Sequence, residues 1–181
     1  MDSDDFDFKI IDRPDKLRDI IFAKNLENNK ARLIAGYCWK WVSKKNYNAY
    51  DIEFPEYDLR MKWNLADDGT KWVIQPESVN EIGCIHTCQG LDVDYIGVIV
   101  GDDLIVRNGE VLVDPSERDS NDSTIRGYKS MMKDNPENTK NLLRRIIKNT
   151  YRTLMTRGMK GCYVYFTDNE TSEYFKSKLF L

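Results

Sequence analysis

The chain lacks the features that mark membrane proteins, secreted proteins and self-sufficient nucleotide-binding proteins. None of its apolar runs approaches the roughly 18 residues that a membrane-spanning helix needs. Its first five residues, Met1-Asp2-Ser3-Asp4-Asp5, are acidic and polar, which is the reverse of a secretory signal. No G-x-x-x-x-G-K-[ST] segment, the loop that cradles nucleotide phosphates, occurs in the 181 residues. These absences predict a cytoplasmic protein that has no membrane partner and no phosphate-binding loop of its own.

Histidine and cysteine, the usual ligands of zinc, are scarce. His86 is the only histidine, and the four cysteines are Cys38, Cys84, Cys88 and Cys162. The spacing Cys84-x-His86-x-Cys88 resembles part of a zinc site, but such a site needs a fourth ligand and usually a second paired motif. Three of the cysteines lie in apolar, strand-like runs, where a free thiol behaves as a small apolar side chain. We therefore expect reduced core thiols and no metal site.

Length and composition fit a single α/β domain. A chain of 181 residues with 41% hydrophobic and 31% charged residues can build one core under a polar surface. Apolar strand-like runs alternate with helical periodicity, a pattern typical of a mainly parallel sheet flanked by helices. Strands are predicted at residues 6–11, 32–38, 83–85, 95–100 and 162–166, and helices at residues 17–26, 139–157 and 172–179. Asn108-Gly109 predicts a hairpin of residues 104–106 and 111–113, and residues 115–128 read as a mobile polar loop.

Residues 44–80 interrupt this pattern. They are rich in Asn, Asp, Tyr and Trp, and Pro55, Gly69 and Pro76 break any longer element. The alternation in residues 59–63 predicts a strand, with residues 71–74 as its candidate partner across the turn at residues 67–69. We expect an inserted β-rich segment inside one domain that covers residues 1–181.

The first segment with chemical potential is residues 84–94, CIHTCQGLDVD. Gly90 opens a turn or lets another backbone or a phosphate approach closely. Gln89 offers both donors and an acceptor, and Asp92 and Asp94 offer acceptors suited to a hydroxyl or a cation. A strand, a polar glycine turn and an acid are common in α/β sheets, where ligand sites gather at strand ends.

The second segment, residues 149–161, ends a basic helix with Thr156-Arg157-Gly158, and Gly158 is expected to form a left-handed helix cap. The Arg157 guanidinium is charged at any pH and can hold phosphate oxygens in a bidentate grip. Alternatively, it interacts with the carbonyls at the helix C-terminus. The basic residues around it are either a solvated helix face or a phosphate-binding patch. Between residues 138 and 162 no acidic residue accompanies them; they are Lys140, Arg144, Arg145, Lys148, Arg152, Arg157 and Lys160.

These two segments, together with residues 31–41 (ARLIAGYCWKW), resemble the second RecA-like domain of superfamily 1 helicases. More narrowly, the chain resembles the Schlafen group 3-like DNA/RNA helicase family. Residues 86–92 are similar to helicase motif V and residues 151–158 to motif VI, in the expected order. The resemblance covers most of residues 31–165 except the stretch 44–80. It implies the second motor domain of an ATP-dependent helicase or translocase.

The resemblance also implies roles for individual residues. Arg157 matches the motif VI arginine, which reaches across a cleft to the γ-phosphate as an arginine finger. Gln89, Gly90 and Asp92 match the motif V step beside the nucleotide, although many relatives have glutamate where this chain has Asp92. His86 and Thr87 match positions that often contact the nucleic-acid backbone. Arg152, about one and a half helical turns before Arg157, is expected to point elsewhere and is a separate candidate for a phosphate or strand contact.

The same resemblance implies partners that the chain itself does not contain. ATP and Mg²⁺ would be bound mainly by an ATP-binding domain upstream, and the strand would be DNA or RNA. The chain alone is then expected to be inactive.

Two further interpretations follow from the residues alone. Gly101-Asp102-Asp103 after an apolar strand resembles a Walker B acid, but without a phosphate-binding loop we read it as a strand-end turn. A nuclease built from these acids and Asp92 and Asp94 has no supporting lysine or histidine. The alternative to a motor domain is a binding module that uses the basic helix face to hold a nucleic acid or a protein.

Overall fold

The computed structural model describes residues 6–64, 72–88 and 92–179, and within these ranges it is an α/β fold, as predicted. The four α-helices of these ranges are α1 (Pro14–Asn28), α2 (Tyr128–Asp134), α3 (Pro136–Met155) and α4 (Asn169–Leu179). The strands are β1 (Asp7–Ile10), β2 (Ala31–Ala35), β3 (Ile52–Phe54), β4 (Leu59–Trp63), β5 (Glu81–Gly83), β6 (Val93–Val100), β7 (Leu104–Arg107), β8 (Glu110–Val113) and β9 (Gly158–Phe166).

Seven of these strands form one sheet in the order β1-β9-β6-β2-β5-β4-β3. Every neighbouring pair is parallel except β3 and β4, which are antiparallel. β7 and β8 form a separate antiparallel hairpin around Asn108-Gly109, both of which have positive φ. This confirms the predicted hairpin, because Asn and Gly tolerate the left-handed turn that such a hairpin requires.

Both faces of the sheet are covered, which explains why its central strands read as continuous apolar runs. On one face, Leu17 and Ile21 of α1 pack with Leu33 of β2. On the other face, Ile147 and Leu154 of α3 pack over the apolar side chains of β6 and β9. α4 covers the outer part of this second face through Phe175, which stacks on Phe166 with ring centroids 5.0 Å apart. The apolar side chains of α3 recur at helical spacing because one face of this helix packs on the sheet.

Because six strands are parallel, the sheet has two chemically different ends. We call the end where β6 and β9 begin the amino end, and the end where they finish the carboxyl end. β6 has eight residues, so the two ends lie roughly 23 Å apart at about 3.3 Å per residue. Residues 84–92 connect the carboxyl end of β5 with the amino end of β6.

Residues 44–80 contribute β3 and β4 to the main sheet. The predicted pairing of residues 59–63 with residues 71–74 is wrong for the described part of the second run, since residues 72–74 form a turn. β4 pairs instead with β3 and β5. The carbonyls of Val73 and Gln75 accept hydrogen bonds from the buried Arg32 guanidinium at 2.6 and 2.9 Å, so they take no part in a strand ladder.

Two terminal details also differ from expectation. β2 ends at Ala35, three residues before the predicted end. Gly158 has no positive φ and does not form a left-handed cap; it is the first residue of β9. A Cβ at this position would lie 2.1 Å from the carbonyl oxygen of Gly161, so close backbone approach accounts for the glycine.

No helix in the described ranges combines the length and apolar character needed to cross a bilayer.

Candidate functional site

Arg157 lies at the amino end of the sheet, between the end of α3 and the start of β9. Its Nε donates a hydrogen bond to the Thr153 carbonyl at 3.2 Å, and its Nη1 lies 3.4 Å from Oδ1 of Asp92. The arginine side chain is 23% exposed and the aspartate side chain 56% exposed. Arg157 therefore makes the contact with a helix carbonyl that the sequence offered as an alternative to phosphate binding. Part of its guanidinium nevertheless reaches solvent.

The backbone holds these two side chains together. Val93 donates its N–H to the carbonyl of Arg157 at 3.0 Å, which joins the first residue of β6 to the residue before β9. The structure therefore brings together Asp92 of the motif V-like segment and Arg157 of the motif VI-like segment. The intervening predicted residues, Gln89 and Gly90, lie outside the described residues.

Asp94, the second acid of residues 84–94, has a structural role. Its Oδ2 accepts hydrogen bonds from Lys160 Nζ and Asn28 Nδ2, each at 2.8 Å. The contact with Lys160, followed by that with Asn28, lowers the pKa of the Asp94 carboxyl. The ion pair joins β6 to β9, and the hydrogen bond from Asn28 adds the end of α1, so together they brace the amino end on which Arg157 lies.

Exposed apolar side chains accompany the charged pair at the amino end. Met159, two residues after Arg157, is 65% exposed. Leu26 near the end of α1 is 88% exposed, and Ile74, whose carbonyl accepts from Asn29, is 68% exposed. Single exposed apolar residues are ordinary, and these three lie on separate elements at the end of the sheet that carries Arg157.

His86 and Thr87 lie at the opposite, carboxyl end of the sheet, in the turn after β5. Thr87 Oγ1 donates to Oδ1 of Asn64 at 2.7 Å, which fixes the turn to the end of β4. The His86 side chain is 44% exposed, and its Nε2 lies 3.9 Å from Oδ1 of the buried Asp122. His86 and Thr87 thus lie at the opposite end of the sheet from Asp92, although all three belong to the motif V-like segment.

Arg152 joins neither group. It is exposed on α3 and lines an apolar groove between α3 and α4, together with Lys148. Its predicted role as a strand contact stays a prediction.

The two acids of the Walker B-like sequence form a strand-end turn, as predicted. Asp102 accepts a hydrogen bond from Thr167 Oγ1 at 2.6 Å. Asp103 is fully buried, where it accepts from Tyr151 Oη and from Arg118 Nε, the latter at 2.7 Å. Burial raises the pKa of the Tyr151 phenol, which keeps it protonated as a donor.

Arg118 is a residue that sequence reasoning missed, since it lies in the predicted mobile loop. Its side chain is wholly buried, and Nη1 donates to Asp122 at 2.6 Å as well as to Thr124. The segment 115–128 is therefore anchored by an internal ion-pair network. Nothing in the sequence distinguishes Arg118 from the other arginines; only its partners do.

The side chains of the Cys84-x-His86-x-Cys88 motif do not converge on one point where a metal ion could bind. Cys84 Sγ lies 3.4 Å from Thr87 Oγ1, and Cys88 Sγ donates to the Ile85 carbonyl at 3.7 Å. Burial raises the pKa of the Cys88 thiol to about 12, which favours the uncharged form over a metal-binding thiolate. In the described ranges no group of three or more His, Cys, Asp or Glu side chains is placed to hold a metal ion.

Comparison with known proteins assigns the sequence to a family. Residues 1–168 match the family described as "Schlafen group 3, DNA/RNA helicase domain". "Uncharacterized protein YPL245W" of Saccharomyces cerevisiae is 27% identical over 172 residues, which cover 93% of this chain and 36% of that protein. The chain thus spans about a third of the length of the curated relative it matches. No solved structure matches it. The match over most of the chain shows that it belongs to the Schlafen group 3 DNA/RNA helicase domain family.

Proposed function

We propose that this chain is the second motor domain of an ATP-dependent helicase or translocase. The observation that carries the proposal is the division of the motif V-like segment between the two ends of one sheet. Asp92 and Arg157 meet at the amino end, whereas His86 and Thr87 lie at the carboxyl end. A rigid sheet between a nucleotide-sensing end and a strand-contacting end can couple the two events mechanically.

The residues at the amino end fit one side of a nucleotide site. Arg157 offers a guanidinium suited to phosphate oxygens, and Asp92 offers a half-exposed carboxylate suited to a hydroxyl. The sequence has no phosphate-cradling loop, so a partner domain would hold ATP and Mg²⁺. Exposed Leu26, Ile74 and Met159 offer apolar surface for that domain. The greater length of the yeast relative leaves room for such a domain in the family.

Bound ATP with Mg²⁺ supplies the γ-phosphoryl group that is transferred to water. Arg157 rests against Asp92 and the Thr153 carbonyl while the partner domain is apart. On domain closure Arg157 exchanges the exposed Asp92 carboxylate for phosphate oxygens and stabilises the charge that develops on them. The hydrogen bond from Val93 to Arg157 links this exchange to β6, and the sheet carries it to the carboxyl end.

At the carboxyl end, His86 and Thr87 contact the backbone of a single DNA or RNA strand. His86 is exposed enough to meet a phosphate, and Thr87 is held in place by Asn64. Cycles of opening and closing between the two domains then move the strand.

The test is steady-state ATP hydrolysis by the complete gene product, with and without single-stranded nucleic acid. Arg157→Ala should lower kcat by roughly 10³-fold or more, the range that arginine fingers contribute in related phosphoryl transfer. Arg145→Ala, at an exposed arginine of the preceding helix α3, is the control and should leave kcat unchanged. The 181-residue chain alone should show no turnover.

Turnover by the chain alone that survives Arg157→Ala would overturn the proposal. The gene sequence upstream of the Met1 codon is a second check. A G-x-x-x-x-G-K-[ST] loop followed by a D-E pair there would supply the missing half of the motor. If neither the upstream sequence nor a partner chain supplies such a loop, the motor assignment fails.

A further inference from the structure

A groove with an apolar interior runs between α3 and α4, on the face of the sheet away from α1. Its volume is about 370 Å³. The floor is built from the ends of β6 and β9 and from the hairpin, and the walls from the two helices. Its apolar lining includes Val100, Leu104, Val111, Met155, Phe166 and Phe175. Met155, Val111 and Phe175 are only half-buried, so a bound side chain would cover apolar surface that now faces solvent.

The rim of this groove on the α3 side is positively charged. Lys148 and Arg152 both line it and both are exposed. They are four residues apart, so they lie one above the other on the helix with a rise of about 6 Å between them. Among the described residues, neither has an acidic partner, whereas Lys140 at the other end of α3 pairs with Glu137 at 2.9 Å.

The floor of the groove does not suit nucleic-acid bases. Bases bind by stacking on exposed aromatic faces. Here the Phe166 and Phe175 rings stack on each other with an interplanar angle of 5°, and Phe166 is only 3% exposed. Phe166 is therefore closed to a base and one face of Phe175 is covered, so the groove suits aliphatic side chains better than stacked bases.

We propose that this groove docks an amphipathic, acidic helix of another polypeptide. Apolar side chains on one face of that helix enter the groove, as in other helix-in-groove complexes. Two carboxylates one turn apart on its flank match the repeat of Lys148 and Arg152 on α3. The proposal is independent of the motor function, because it needs neither ATP nor the amino end of the sheet.

The experiment is a fluorescence anisotropy titration of the 181-residue chain against a labelled helical peptide of 18 residues. The peptide carries Leu at every third or fourth position and Glu pairs four residues apart on one flank. We expect saturable binding that weakens about tenfold or more in the double variant Lys148→Glu, Arg152→Glu, because both rim attractions become repulsions. A second peptide with Gln in place of each Glu should bind correspondingly weakly to the unaltered chain.

The matched control is the double variant Lys133→Glu, Arg145→Glu, which makes the same change in net charge at exposed positions outside the groove. It should bind the acidic peptide as tightly as the unaltered chain. NMR spectra of the chain labelled with ¹³C-methyl methionine locate the binding site. The methyl signal of Met155 should shift when the peptide binds, and that of the buried Met61 on the other face should not. Unfolding curves establish that both double variants fold.

Several results would overturn the proposal: no saturable binding, equal losses in both double variants, or a shift at Met61 without one at Met155. Displacement of the peptide by a short oligo-dT that itself depends on Lys148 and Arg152 would assign the rim to nucleic acid instead. Because no nucleotide is present, failure here leaves the Arg157 test of hydrolysis unaffected.

Discussion

Arg157 and Asp92 approach each other across the starts of two neighbouring strands, with Nη1 3.4 Å from Oδ1. The pair is exposed enough to exchange partners, and this distinguishes it from the neighbouring pair of Lys160 and Asp94, whose carboxylate is only 14% exposed. The pair of Arg157 and Asp92 is therefore suited to exchange partners, whereas the pair of Lys160 and Asp94 is suited to hold β6 and β9 together.

These two aspartates should differ when each is replaced by asparagine. Asp92→Asn should change the free energy of unfolding by less than about 1 kcal/mol, because exposed ion pairs contribute little. Asp94→Asn should cost about 1–2 kcal/mol, since it weakens charge-assisted bonds from Lys160 and Asn28. Urea unfolding at pH 7 measures both values. A larger loss for Asp92→Asn than for Asp94→Asn would contradict this assignment.

Asp168 should make stability depend on pH in the acid range. The hydrogen bond from Arg107 holds the pKa of Asp168 at about 2, against an ordinary value of 3.8, and Thr171 adds to the effect. A lowered pKa means that the stabilisation is complete above about pH 4 and disappears as pH falls toward 2. Asp168→Asn should lower stability by about 1–2 kcal/mol at neutral pH, a figure reduced for the partial exposure of Arg107.

Urea unfolding between pH 2 and 7 tests this. The slope of stability against pH that belongs to Asp168 should be missing in the variant. Glu170→Gln is the matched control, because Glu170 also pairs with Arg107, at 3.5 Å, but is 52% exposed. Equal effects of the two substitutions would show that Asp168 has no special role.

The buried network around Arg118 should be the most sensitive polar feature of the fold. Arg118→Met would leave the carboxylates of Asp103 and Asp122 buried without their cation. Removing one partner from a buried ion pair typically costs about 3–5 kcal/mol. Arg126→Met, at an exposed arginine in the same segment, should cost less than about 0.5 kcal/mol. Thermal unfolding followed by circular dichroism compares the two, and similar midpoints would refute the network's importance.

Gly158→Ala should disturb the start of β9. The new Cβ would lie 2.1 Å from the Gly161 carbonyl oxygen, so the backbone must move. We expect a loss of about 1–3 kcal/mol, the usual cost of an added methyl group without space. Met159→Ala, at the exposed next position, should have little effect. A Gly158→Ala variant as stable as the parent chain would mean that the close approach relaxes freely.

The sequence predicted most elements because their local signals and their environment agree. α1 begins at Pro14 and is capped by Asn29, whose φ of 58° suits an asparagine, and the Asn108-Gly109 hairpin formed where expected. The mistaken partner of β4 shows where this reasoning stops. Residues 71–74 have a strand-like composition, but Arg32, distant in sequence, takes the carbonyls of Val73 and Gln75. No local pattern reports a hydrogen bond to a residue some 40 positions away.

The amino-acid sequence by itself determined the α/β class, the family resemblance and the choice of Arg157, because periodicity and motif order are local properties of the chain. Only the tertiary structure decided which of the chosen residues are neighbours. Strand register placed Asp92 beside Arg157 and sent His86 and Thr87 to the opposite end of the sheet. It also turned Asp103 and Arg118 into a buried ion pair and left Lys148 and Arg152 on the rim of a groove. Charge and side-chain type are written in the sequence, but burial and distance arise only when separate segments pack against one another.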